Sequence, residues 1–98
     1  MYSPTKFEIF GQTISIKYEN TIAAHGAQGM YFHDKKEIIV CTHGIDGVEH
    51  DADFLSQVLK HEQVHAILSY LSYFELNANE QFVDQFSQIM HQIEVTQR

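Results

Sequence analysis

The chain has no tryptophan, one proline, one cysteine, and only six lysines and arginines against thirteen aspartates and glutamates. A single cysteine, Cys41, excludes an internal disulfide and fits a reducing compartment. Cys41 itself reads as a small buried strand residue. The shortage of basic residues gives a formal net charge of −7 with no basic cluster, which argues against nucleic acid and anionic membrane as partners. No apolar run approaches the ~18 residues of a spanning helix. The opening Met1-Tyr2-Ser3-Pro4-Thr5-Lys6 carries no charged-then-apolar leader, so the expected location is cytoplasmic. The 98 residues, 44% of them hydrophobic, suffice for one domain over 1–98 with a modest core. A bound metal would help to hold so small a fold together.

Phe7 to Phe10 and Ile14 to Tyr18 read as two strands interrupted by Gly11-Gln12, with Ile14, Ile16 and Tyr18 on one face. Residues 19–28 read as a loop. Met30-Tyr31-Phe32-His33 and Glu37-Ile38-Ile39-Val40-Cys41 flank Asp34-Lys35-Lys36 as a second hairpin. Thr42 to His50 is a polar loop. Asp51 suits the N-cap of a helix running to about Ser72, and Asp53 suits its first turn. That helix is apolar on most sides, so it reads as a buried central helix. Tyr73 to Leu76 is expected to be a connection. Asn77 is the expected cap of a last helix reaching about Val95, with Phe82, Val83, Phe86, Ile89, Met90 and Ile93 as its apolar face. Glu80, Asp84, Ser87 and His91 line the opposite edge. Four strands followed by two helices predict an α+β domain: two hairpins form one antiparallel sheet, and two packed helices cover it.

The polar exceptions on the central helix are His61, Glu62 and His65, and buried polar groups require partners. They form His-Glu-x-x-His. Residues four apart share a helix face, so both imidazoles can bind one tetrahedral ion. Glu62 lies about 100° round the helix and flanks that ion as a general base for its water. A catalytic zinc takes three protein ligands. The best third ligand is Glu80, fifteen residues after His65. Asp84, one turn on, can accept a hydrogen bond from a ligand imidazole and fix its tautomer.

His61-Glu62-x-x-His65 followed by Asn79-Glu80-x-x-x-Asp84 resembles the gluzincin pattern of zinc peptidases. The wider arrangement resembles the very small bacterial and phage proteins related to the ImmA/IrrE metallopeptidases. That likeness rests on Gly29-Met30-Tyr31, on Ile38-Ile39-Val40 and on the two helices, over about residues 29–94. It implies a minimal zincin-like core and one zinc per chain held by His61, His65 and Glu80. It also implies Glu62 as general base and Asp84 as a carboxylate behind a ligand. Larger zincins add a lobe and a Tyr or His that stabilises the oxyanion; here Tyr31, Tyr70 and Tyr73 stay open for that part.

Blander readings stand beside these. His61 and His65 can be core histidines bonded to backbone, with Glu62 their charge partner. With Asn77 as cap, Glu80 stands where a capping box places its Glu. Asp84 can line a solvated face. His91 is an alternative ligand, and His43 and His50 can hold a second metal. His25 and His33 read as surface or loop residues. The functional expectation is zinc-dependent peptide-bond hydrolysis, with the Glu37–Cys41 strand as a sheet edge that pairs with an extended peptide or protein substrate. The alternative is a non-enzymatic, zinc-stabilised binding or accessory module of phage or prophage origin.

Overall fold

A computed structural model describes residues 2–20 and 27–98. It is α+β, with four strands followed by three helices: β1 (Lys6–Ile9), β2 (Gln12–Glu19), β3 (Gly29–Phe32), β4 (Glu37–Cys41), α1 (Ala52–Tyr70), α2 (Phe74–Asn77) and α3 (Glu80–Thr96). Part of the expected loop over 19–28 lies outside the described residues, and His25 with it.

Both hairpins form. β1 and β2 turn over Phe10 and Gly11, each at positive φ (51° and 76°), the twist that a two-residue hairpin demands. β3 and β4 pair antiparallel from Gly29↔Val40 to Phe32↔Glu37. The sheet they build is mixed, however, and this corrects the antiparallel expectation. Its order is β1-β2-β4-β3, and β2 and β4 run parallel from Ser15↔Glu37 to Glu19↔Cys41. The cause is the composition of β4. A continuous β-branched run belongs inside a sheet, and Ile38, Val40 and Cys41 are buried. The four residues of β3 are all half-buried, as suits an edge. The second hairpin therefore docks by its return strand. The expected free edge at Glu37–Cys41 is internal, and β3 takes that place.

Ile14, Ile16, Ile38 and Val40 pack under Leu55, Val58 and Leu59 of α1. Fully burying each such side chain stabilises by about 1.5–3 kcal/mol. α1 begins where Asp51 Oδ1 accepts from the Phe54 N–H at 2.8 Å. It ends at Tyr70, two residues short of the expected boundary, with Leu71 as C-cap.

The connection after α1 contains the helical turn α2, and Asn79, not Asn77, caps the last helix: its Oδ1 accepts from the Phe82 N–H at 3.0 Å. α3 packs on α1 through a second cluster of Val64, Leu68 and Val83. Phe82 and Met90 of the expected apolar face pack half-buried against that cluster, and the rest of the face is corrected. Phe86, Ile89 and Ile93 are exposed, while Ser87 and His91 are buried. α3 is rotated so that its polar edge turns toward α1. That rotation is fastened by the Lys60–Glu94 ion pair and by His91 Nε2 against Asp53 Oδ1 at 3.0 Å. Among the described residues no helix is long and apolar enough to cross a membrane.

Candidate metal centre

The rotation of α3 brings Glu80 over the two helix-spaced histidines. Glu80 Oε1 lies 3.0 Å from His65 Nε2, and Oε2 lies 3.4 Å from His61 Nε2. Glu80 is the first residue of α3, so the capping-box alternative, which needs it three residues beyond its cap, does not apply.

The far side of each ring fixes its tautomer. The Ser69 hydroxyl donates to the His65 carbonyl at 2.9 Å. The Asn77 amide nitrogen donates to Ser69 Oγ at 2.9 Å. Asn77 Oδ1 therefore faces His65 Nδ1, at 2.6 Å, and can only accept, so Nδ1 carries the proton. Asp84 Oδ1 lies 2.9 Å from His61 Nδ1, and a carboxylate likewise only accepts. In each neutral ring Nε2 is then a bare lone pair. With both rings neutral, two lone pairs and one carboxylate face each other; a protonated ring would instead donate from Nε2 to Glu80.

Acceptors gathered in this way repel unless a metal ion or a proton lies among them. One ligand atom from each of His61, His65 and Glu80 falls within 4.8 Å of the others, and among the described residues this is the one such group of three or more metal-ligating side chains. A tetrahedral ion with bonds of about 2.0–2.1 Å sets its ligand atoms roughly 3.3 Å apart. The two nitrogen–oxygen separations, 3.0 Å to Oε1 and 3.4 Å to Oε2, are close to that value but run to different oxygens of the carboxylate. The donor set of two imidazoles and one carboxylate suits zinc.

Glu62 stands beside the cluster, buried between α1 and β3. Burial pushes its carboxyl above the usual range. The His65 and His61 rings oppose that shift, and Glu80 adds to it. Gly29 makes this neighbourhood feasible. A Cβ there would lie 2.8 Å from Val58 Cγ1 and 3.2 Å from Glu62 Cγ, so only glycine lets the edge strand pass so close to α1. Strand and helices border an open cavity of about 680 Å³, lined by Gly29, Met30 and Tyr31 on one side and by His61, Glu62, His65, Glu80 and Asp84 on the other.

The other described histidines take no part in the cluster, although His33 lines the same cavity. His91 pairs with Asp53. His43 Nδ1 meets Thr42 Oγ1 at 2.7 Å and His50 Nε2 meets Gln28 Oε1 at 3.0 Å. His33 Nδ1 contacts the Tyr31 hydroxyl at 2.6 Å. Cys41 is buried, its thiol donating to the His43 carbonyl. Asn77 and Ser69 join the site without a distinctive signal. Two asparagines two residues apart compete for the cap, and the one that loses is free to hold His65. No family model matches the chain, and neither a curated protein nor a solved structure matches it.

Proposed function

We propose that this chain is a zinc-dependent peptidase domain with a zincin-like core, cutting a peptide or protein substrate. The observation that carries the reading is the cluster itself: two imidazole Nε2 atoms, each ring held at Nδ1 by an acceptor, meet one carboxylate. His61, His65 and Glu80 would hold the ion, and Asp84 and Asn77 orient the two rings. Such partners behind a ligand typically govern metal affinity by 10–100-fold. A bound zinc would supply Lewis acidity, acidifying a water and polarising the scissile carbonyl. Glu62 takes the proton of the attacking water and hands it to the leaving amine. Its buried carboxyl, raised above the ordinary range, is a better base than an exposed one. The edge strand β3 runs beside this base and offers main-chain groups to an extended peptide. The phage-related setting rests on resemblance, and the cytoplasmic one on the single cysteine.

Metal analysis of untagged protein tests the core of this reading. Wild type should carry about one zinc per chain, lost or much reduced in His65→Ala and Glu80→Ala. Wild type should also hydrolyse peptides, and Glu62→Gln should keep zinc and lose that activity. A wild type that takes up no metal on reconstitution overturns the proposal.

One observation favours a second reading. The Glu80 side chain is 67% exposed, so an ion there would also tie α3 to α1 at the surface, as in a zinc-stabilised binding module. That reading predicts a zinc-dependent melting temperature in a wild type that cuts nothing.

A further inference from the structure

The apolar stripe that α3 turns away from α1 is bare in a single chain. We propose that a second copy of this chain covers it, the two α3 helices packing face to face in a reversible dimer. This contact needs neither metal nor hydrolysis, so it stands or falls separately from the peptidase reading.

Phe82, Phe86, Ile89 and Ile93 are four, three and four residues apart. That alternation keeps one seam of a helix against a partner helix. Phe86, Ile89 and Ile93 are 44%, 59% and 57% exposed. The Phe82 and Phe86 rings stack with centroids 5.5 Å apart, which joins the half-buried start of the seam to its exposed length. The 17 residues of α3 make a helix of about 25 Å. Two such helices meeting along one seam bury on the order of 1,000 Å² in total, the low end for a specific interface. A contact of that size gives a dimer that dissociates on dilution.

Charge selects the occupant. Every titratable side chain of α3 is engaged on the α1 side: Glu80 with His65, Asp84 with His61, His91 with Asp53 and Glu94 with Lys60. The outward face is left without a charge. The chain carries a net charge of −7, so two copies repel over most of their surface and meet without that penalty here. Gln85 and Gln92 flank the seam, and both are exposed. Flanking positions of a helix pair commonly carry charges that choose the partner. An amide instead both donates and accepts, so glutamine on one copy satisfies glutamine on the other. A membrane surface fits less well. Helices that lie in a membrane plane carry Lys or Arg beside their apolar face, and α3 has neither.

The dimer also accounts for the rotation of α3. Within one chain the stripe could be hidden only by turning it inward, which would lift Glu80 and Asp84 off the histidines. A second copy covers it from outside and leaves the Lys60–Glu94 and Asp53–His91 pairs in place. A two-fold contact of this kind uses the same patch on both copies, so one substitution alters the interface twice.

Analytical ultracentrifugation of the full chain from about 1 μM to about 1 mM, the span of weak affinities, tests this. Wild type should move from 11.4 kDa toward twice that mass as concentration rises. Ile89→Glu sets a carboxylate from each copy into the seam. It should stay at the monomer mass throughout, with the melting temperature of wild type when both are dilute. Ile93→Glu should do the same, and it carries the test if Ile89→Glu does not fold. Val48→Glu, at an exposed apolar residue outside α3, should dimerise as wild type does. In dilute protein the stripe is bare, so truncating it costs little stability there, and the cost grows with concentration. A wild type that stays at 11.4 kDa up to about 1 mM overturns the proposal and leaves the stripe to a different protein. A dimer that both glutamate variants leave intact overturns it as well, because the contact then lies elsewhere.

Discussion

The two halves of this molecule obey different rules. Where α1 meets the sheet, side chains follow the hydrophobic pattern: Ile14, Ile38 and Val40 are fully buried, and Leu55, Val58 and Leu59 close over them. Where α1 meets α3, the pattern is broken. Only Val83 of α3 joins Val64 and Leu68 in full burial, while Phe86, Ile89 and Ile93 face solvent and His91 and Ser87 are buried. A rotation of α3 about its axis would bury the aromatic and aliphatic stripe and lift Glu80 and Asp84 away from the histidines. Local consistency is the usual mark of a foldable sequence, and its breaks collect at functional sites. One half of the protein is therefore a scaffold, and the other is held in a less favourable packing that assembles the acceptor cluster.

This contrast can be broken most directly by substitution on each side of α1. Ile38→Ala, in the sheet core, should cost about 2–5 kcal/mol in denaturant titration. Ile89→Ala, on the exposed stripe, should stay within about 0.5 kcal/mol. Equal, large losses would mean that the stripe is buried in solution and that α3 sits otherwise than described. Asn77→Ala probes the second half at its weakest-signalled member. Losing the acceptor on His65 Nδ1 frees the ring to change tautomer, and zinc affinity by competition with a chelator should fall about 10–100-fold. Stability of the metal-free protein should change far less. An affinity unchanged from wild type would show that the ring needs no such lock.

How much of this was legible beforehand follows the same division. The strands, the first helix with its Asp51 cap and the α+β class come from alternation, apolar periodicity and capping chemistry, all local signals. The sheet order does not, because pairing β2 beside β4 is a long-range choice decided by the apolar run Ile38-Ile39-Val40. At the site, the spacing of His61 and His65 is set by the helix repeat and is therefore visible in the sequence. The approach of Glu80 and Asp84 depends on the turn of α2 and on Asn79 winning the cap from Asn77, which tertiary packing settles. Gly29 is the extreme case: nothing local marks it, yet only the absence of a Cβ lets β3 lie against Val58 and Glu62.

The smallest expected effect is also the most specific to the second half. Burial holds the Glu62 carboxyl above the value it has in the unfolded chain, so the native state favours the proton. The stabilisation that comes with the protonated form is complete below the unfolded value, near 4.5, and is lost as pH rises through the folded one. Above its raised folded value, wild type freed of metal with a chelator thus carries a buried negative charge that a neutral isostere would not. Glu62→Gln should raise the melting temperature of the metal-free protein at pH 7 to 8, by about 1 kcal/mol or less in free energy. The gain should shrink toward zero as pH falls below the carboxylate range. A Gln variant that is less stable at every pH would mean that Glu62 is satisfied as a charge by its neighbours. The apparent conflict between burial and base would then be absent from this half of the fold.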